Sequence, residues 1–299
     1  MPEPDLLDPD IIAQLNGLRL QAQRIVDGFL TGSHRNPQGG SSIEFSEHRE
    51  YTFGDDLRYL DWKAYGRSDR LYLKQFEDET NYSAMFCLDA SRSMAYQGPQ
   101  SPWSKFACAQ AITAAIAWLV INQGDAAGVS LFSDAVETWL PPAAYTGQLP
   151  QIIETLDSAT PTGKTAVTAI YDELADRLQR RMCLIVVSDL LTDPQTTLSG
   201  LRRLKHAGHD VLVFHLLDAA EVELPFQQMT QFRSLEDGQM IRTEPKMIRS
   251  AYRQEVTSFL RTLEHGCRCE GIDYLFLQTH ESIGFVLSRF LANRARRVH

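Results

Sequence analysis

The chain's clearest pattern is a set of short apolar runs that each end abruptly in polar residues. The first is Ala84-Met85-Phe86-Cys87-Leu88, bounded by Ser83 and Asp89. Five apolar residues in a row suit a strand covered on both faces. The run 182–187 (MCLIVV) has the same character and stops at Ser188-Asp189. Residues 127–132, 211–217 and 274–277 read as further strands. Residues 136–140 read as a strand joined to 127–132 by the polar turn Ser133-Asp134, which suggests a hairpin. Between these runs the spacing predicts helices over 103–123, 145–156, 166–179, 197–206 (closed by Gly208), 246–265 and 282–292. Alternating strands and helices predict an α/β fold with a mostly parallel sheet and helices on both faces. The stretch 221–243 breaks the rhythm, and Glu236-Asp237-Gly238 marks a hairpin there.

The first 80 residues follow other patterns. Ile11, Leu15, Leu18, Ala22, Ile25 and Phe29 form one apolar stripe at helical spacing, which predicts a helix over 11–30 docked on the main body. A glycine-rich loop (33–42) precedes a block dense in Arg, Asp, Tyr and Trp. Gly54-Asp55-Asp56 is a turn signal within it, and residues 71–77 alternate like a strand. The expected division is therefore 1–80, a helix and an Arg/Asp/aromatic-rich wrapping segment, and 81–299, the α/β domain with its hairpin insertion.

Composition narrows the function classes. The chain has 299 residues, 43% apolar and 22% charged, as in ordinary soluble globular proteins. A net charge of −9 opposes nucleic acid as the default partner. The interleaved charged and aromatic residues of 58–67 keep nucleic-acid binding as an alternative, but the matching supply of Asp and Glu favours internal Arg–carboxylate pairing. Of the five cysteines, Cys87, Cys108 and Cys183 sit in apolar runs, and Cys267-x-Cys269 lacks the partner pair of a zinc site. The acidic start MPEPDLLDPD is no secretory signal. The most apolar stretch, 106–121, is interrupted by Gln110 and Thr113 and reads as a core helix rather than a membrane span. Together these predict a cytoplasmic protein without direct membrane insertion.

The chemistry gathers where strands end. Asp89, Ser91 and Ser93 form Asp-x-Ser-x-Ser after the first apolar run. One carboxylate and two hydroxyls are hard oxygen donors, suited to Mg2+ or Mn2+. Asp and Ser after a strand also form turns and helix caps without any ligand. Thr165, in the loop 159–165, and Asp189 supply further oxygens at other strand ends. A phosphohydrolase using Asp89 as nucleophile is the enzymatic alternative. It needs a second acid two positions on, where Ser91 stands, and a serine is a poor proton shuttle. Gly163-Lys164-Thr165 imitates the end of a phosphate-binding loop, but position 158 is Ser and no strand precedes it. The histidines show no paired metal spacing.

Asp-x-Ser-x-Ser, then a loop Thr, then Ser-Asp after an apolar strand resembles the metal-ion-dependent adhesion site (MIDAS) of von Willebrand factor type A domains. The upstream block EHREYTFGDDLRYLDWKAYGRSDRLYLKQFEDET, followed by LDASRSM, QGDAAGVSLFS, GHDVLVFHLLD and GIDYLFL, resembles the bacterial family called "domain of unknown function 58" from about residue 20 onward. The resemblance implies a Rossmann-like sheet of about six strands with one antiparallel edge strand. It implies Mg2+ (or Mn2+) bound by Asp89, Ser91, Ser93, Thr165 and Asp189, with a further position for a partner's carboxylate. It also implies a non-enzymatic, chaperone-like adaptor working with a MoxR-type AAA+ ATPase and a client protein. Many such domains have Gly-Gly-Thr where this chain has Gly163-Lys164-Thr165. Arg58, Asp61 and Trp62 are read as structural or as partner contacts.

Overall fold

A computed structural model of the chain describes residues 43–50, 72–78, 83–145, 147–164, 167–178, 180–236, 238–281 and 284. The expected helices over 11–30 and 282–292 lie outside the described residues, as do Arg58, Asp61, Trp62 and Thr165. The chain forms two compact units, one of them Phe29–Asn81 and the other containing Tyr82–His299. In the smaller unit β1 (Ile43–Glu50) pairs antiparallel with β2 (Tyr72–Asp78), with a register shift between Phe45 and Glu47.

The larger unit holds a six-stranded sheet. Its strands are β3 (Ser83–Asp89), β4 (Ala126–Phe132), β5 (Val136–Ala143), β6 (Cys183–Ser188), β7 (Asp210–Leu217) and β10 (Asp273–Gln278). Their spatial order is β10-β7-β6-β3-β4-β5. All neighbours are parallel except β4 and β5, which form an antiparallel hairpin. The apolar runs predict these strands well because central parallel strands are buried on both faces.

The two faces of β3 show how the core is built. Side chains alternate along a strand. Met85 and Cys87 join Ile170, Tyr171 and Leu174 of α3 (Val167–Arg177) in one cluster. Leu198, Leu201 and Leu204 of α4 (Pro194–His206) and Leu263 and Cys267 of α6 (Pro245–Cys269) complete that cluster. Ala84, Phe86 and Leu88 belong to the opposite face, and α1 (Lys105–Asn122) packs against β3 and β4. The Ser104 side chain caps α1 by accepting from Ala107 N at 3.1 Å. Nearly every side of α1 is buried, so it carries no polar stripe. Among the described residues it is the one helix long and apolar enough to cross a bilayer, and most of it is enclosed by the core. The short helix α2 (Gln148–Asp157) covers the β4 side.

Several boundaries differ from the sequence expectation. Helix α6 continues to Cys269 instead of ending near residue 265. Gly266 sits inside it because the helix runs against Leu198, whose Cδ1 would lie 2.3 Å from an added Cβ. Glycine in a helix interior costs about 0.5–1 kcal/mol, and here it admits the close approach of Leu198. The segment 221–243 contains the expected hairpin, β8 (Thr230–Arg233) and β9 (Met240–Thr243), with Phe232 opposite Ile241. It is preceded by an unforeseen helix, α5 (Ala219–Glu223), held by an Asp218/Glu221 capping box. In β5, Pro141 and Pro142 fall where the ladder to β4 is irregular, between the pairs Val129–Leu140 and Ala127–Ala143. Gly128 is required opposite them, since a Cβ there would stand 2.6 Å from Leu140 O and from Pro142 N.

Candidate functional site

The chain leaves β3 for β4 and β5 on one side, then returns to place β6, β7 and β10 on the other. Strand order thus reverses between β3 and β6, and the crevice beyond their carboxyl ends is where open α/β sheets bind ligands. Asp89 closes β3 and Asp189 follows β6, so the reversal brings both carboxylates to that crevice.

Asp89 is fully buried. Its Oδ1 accepts from Ser91 N at 2.9 Å, and its Oδ2 accepts from the Ser188 hydroxyl at 2.6 Å. Burial, reinforced by the charge of Asp189 and opposed by these hydrogen bonds, pushes its pKa up to about 7. Ser91 begins a 3-10 turn, Arg92–Ala95, at the capping position, yet its side chain makes no capping bond. Its hydroxyl lies 3.0 Å from that of Ser93. Asp89 therefore holds the turn, and the two hydroxyls stand side by side next to it, Ser91 buried and Ser93 partly exposed.

The loop after α2 is tied to this turn. Thr162 N donates to Ala90 O at 2.7 Å, and Arg92 N donates to Gly163 O at 3.4 Å. Gly163 has φ +66°, a left-handed conformation that favours glycine. The loop carrying Gly163-Lys164-Thr165 thus sits against Asp-x-Ser-x-Ser up to Lys164, which is exposed.

At the end of β6 the backbone turns sharply through Leu190, a buried non-glycine residue at φ 48°. A bulky residue in that region is strained by about 1–3 kcal/mol. The turn is held by Leu190 N donating to Ser188 Oγ at 3.0 Å and by His215 Nε2 donating to Asp189 O at 2.8 Å. A carbonyl only accepts, so Nε2 carries the proton and Nδ1 accepts from Tyr274 Oη at 2.5 Å. Burial holds the imidazole neutral, with its pKa lowered to about 4 despite the nearby Asp189 charge.

Asp189 has an unforeseen partner. Lys105 Nζ, with no exposed side-chain surface, lies 2.8 Å from Asp189 Oδ2 and 2.7 Å from Glu221 Oε1. Burial alone would lower the Lys105 pKa, but the charges of Asp189 and Glu221 and the hydrogen bonds to them raise it above its usual value. The second Asp189 oxygen accepts from Leu191 N at 3.3 Å. Glu221 continues the network, since its Oε2 accepts from Asp218 N at 2.8 Å. Asp218 in turn accepts from Gly98 N, Ala220 N and the hydroxyls of Ser101 and Thr279.

Asp89, Ser91, Ser93 and Asp189 thus share one crevice. Two buried carboxylates, the charge of Asp189 raising the proton affinity of Asp89, beside two adjacent hydroxyls, are a donor set that fits a small hard cation. Each carboxylate oxygen retains a second lone pair. Among the described residues no group of three or more His, Cys, Asp or Glu side chains is arranged for a metal, so a cation here depends on the serine hydroxyls. Ser188, Lys105 and His215 shape the site and were not assigned to it from sequence.

The family described as "Protein of unknown function DUF58" matches residues 47–259. The chain belongs to this family. Uncharacterized proteins of Mycobacterium tuberculosis and Mycobacterium bovis are each 28% identical to it, over 98% of this chain and 92% of theirs. Among solved structures, the conserved hypothetical protein BatB of Bacteroides thetaiotaomicron aligns at 16% identity and TM-score 0.47, covering 72% of this chain and 99% of that one. An aerotolerance-related membrane protein of Bacteroides fragilis aligns at 20% identity and TM-score 0.45, over 71% and 99%. The sheet order and its single antiparallel edge strand make this a Rossmann-like, von Willebrand A-like fold.

Proposed function

We propose that this DUF58 protein is a non-enzymatic, cytoplasmic adaptor that binds a protein partner through a Mg2+ (or Mn2+) site built on Asp89, Ser91, Ser93 and Asp189. Thr165 belongs to the same proposal through its loop. The observation that carries the reading is the pairing of buried Asp89 and Asp189 at the strand-order reversal, beside the Ser91 and Ser93 hydroxyls. A divalent cation at this position would supply positive charge and a place for an incoming Asp or Glu. Asp89 and the serines would hold the cation. Ser188 and the Ser91 amide orient Asp89, and the His215 and Leu190 contacts fix the turn that presents Asp189. The Ser91 position, two residues after Asp89, offers no acid for proton transfer, which supports binding over hydrolysis. By family resemblance the proposed partners are a MoxR-type AAA+ ATPase and a client protein.

A pull-down with wild type and Asp89→Ala, in Mg2+ and in chelator, tests the reading. The expected result is recovery of the ATPase or a client by wild type in Mg2+ alone, with Asp89→Ala remaining folded. Equal recovery in all conditions would refute the metal bridge and shift the contact to the 58–67 block, including Arg58, Asp61 and Trp62.

A further inference from the structure

We infer that Lys105 is the internal counter-ion of the site, setting how tightly it takes a cation and how strongly the loaded site draws a carboxylate. This rests on the cation reading above. Lys105 is the first residue of a mostly buried, mostly apolar helix, and its side chain has no exposed surface. A buried ammonium is costly, and a well-packed neutral side chain of similar volume is often as stable. Its charge therefore answers to its neighbours rather than to packing. Lys105 touches Asp189 directly and reaches Glu221 on the other side. Lys164, the lysine nearest the site in sequence, is exposed and not placed for this role.

The charge count follows from the contacts. Asp89, Asp189 and Glu221 with Lys105 carry a formal charge of −2 when all are ionised. A divalent cation brings this set to zero, so an incoming carboxylate meets no net negative charge. Without the ammonium, the same carboxylates would hold a divalent cation at a net charge of −1. Such a site binds cations better and acidic partners worse. Lys105 thus trades metal affinity for attraction of an anionic ligand, acting as a positioning and charge-setting residue through Asp189.

The test uses full-length wild type, Lys105→Met and Glu221→Gln. Calorimetric titration with Mn2+ measures cation affinity, and proton relaxation of the Mn2+-loaded protein during acetate titration measures carboxylate binding. Both substitutions break the same Lys105–Glu221 ion pair but change local charge in opposite directions. Lys105→Met is expected to bind Mn2+ about tenfold or more tightly, and acetate more weakly. Glu221→Gln is expected to bind Mn2+ no more tightly than wild type. A shift of both variants in the same direction would mean a merely structural ion pair and would overturn the inference. If Lys105→Met does not fold, as judged by circular dichroism, Lys105→Met/Glu221→Gln is compared with Glu221→Gln. The double variant should then bind Mn2+ about tenfold or more tightly, and equal or weaker binding overturns the inference. Binding by Lys105→Met with none by wild type would uphold the counter-ion role while sinking the cation reading of the native site. Absence of Mn2+ binding in every protein would sink both.

Discussion

Asp89 and His215 both neighbour Asp189, and they respond to pH in opposite senses. Burial and the Asp189 charge raise the Asp89 pKa from its usual 3.8 to about 7. Between these values the folded protein keeps a proton that the unfolded chain has lost, so stability falls as pH rises through that window. Burial lowers the His215 pKa from 6.5 to about 4, so its contribution to stability is lost as pH falls from about 6.5 to about 4. The two effects oppose each other in wild type, and a difference between variants separates them. In chelator at pH 8, Asp89→Asn is expected to be more stable than wild type by about 1–3 kcal/mol, and the difference should shrink towards pH 4. Urea unfolding across this pH range measures it. A gap that does not change with pH would show that the Asp89 charge is not its source.

The elements reveal why sequence reading succeeds in some places and fails in others. β3 and β6 were legible because two-sided burial demands continuous apolar runs, and Asp89 and Asp189 stood out as the residues that end them. Ser91 and Ser93 were legible from the Asp-x-Ser-x-Ser spacing that follows β3. Lys105 was not, since a lysine in the first turn of a helix ordinarily reads as a solvated residue. Only the tertiary arrangement turns it under the helix towards β6. Helix α5 escaped notice because five residues leave no period to detect, and β1 because its apolar positions are interspersed with charges. The loop after α2 offers a test at this scale. An added Cβ at Gly163 would stand 2.7 Å from Ser133 Oγ, at a backbone conformation that disfavours side chains. Gly163→Ala should lower stability by about 1–3 kcal/mol, read by thermal or urea unfolding, and loosen the hydrogen bonds to Ala90 and Arg92. Unchanged stability would mean that the loop has room to relax away from the site.

At the scale of the molecule, exposed apolar residues are unevenly placed. Met229, Leu235, Met240, Ile241, Met247 and Ile248 lie within the hairpin insertion and the start of α6. Met240 and Ile241 are 58% and 65% exposed. The double substitution Met240→Ser/Ile241→Ser should therefore change folding stability by less than about 0.5 kcal/mol, as measured by urea denaturation. A larger loss would show that these side chains support the fold despite their exposure.

The prolines of β5 have a consequence for assembly. This strand forms one border of the sheet, and Pro141 and Pro142 contribute no main-chain N–H along its last part. A visiting strand has no donors to zip onto there, so that stretch of border resists both fibrillar stacking and recognition by strand addition. Along this stretch the sheet is closed to lengthening, which leaves side-chain surfaces rather than backbone edge for any contact made there.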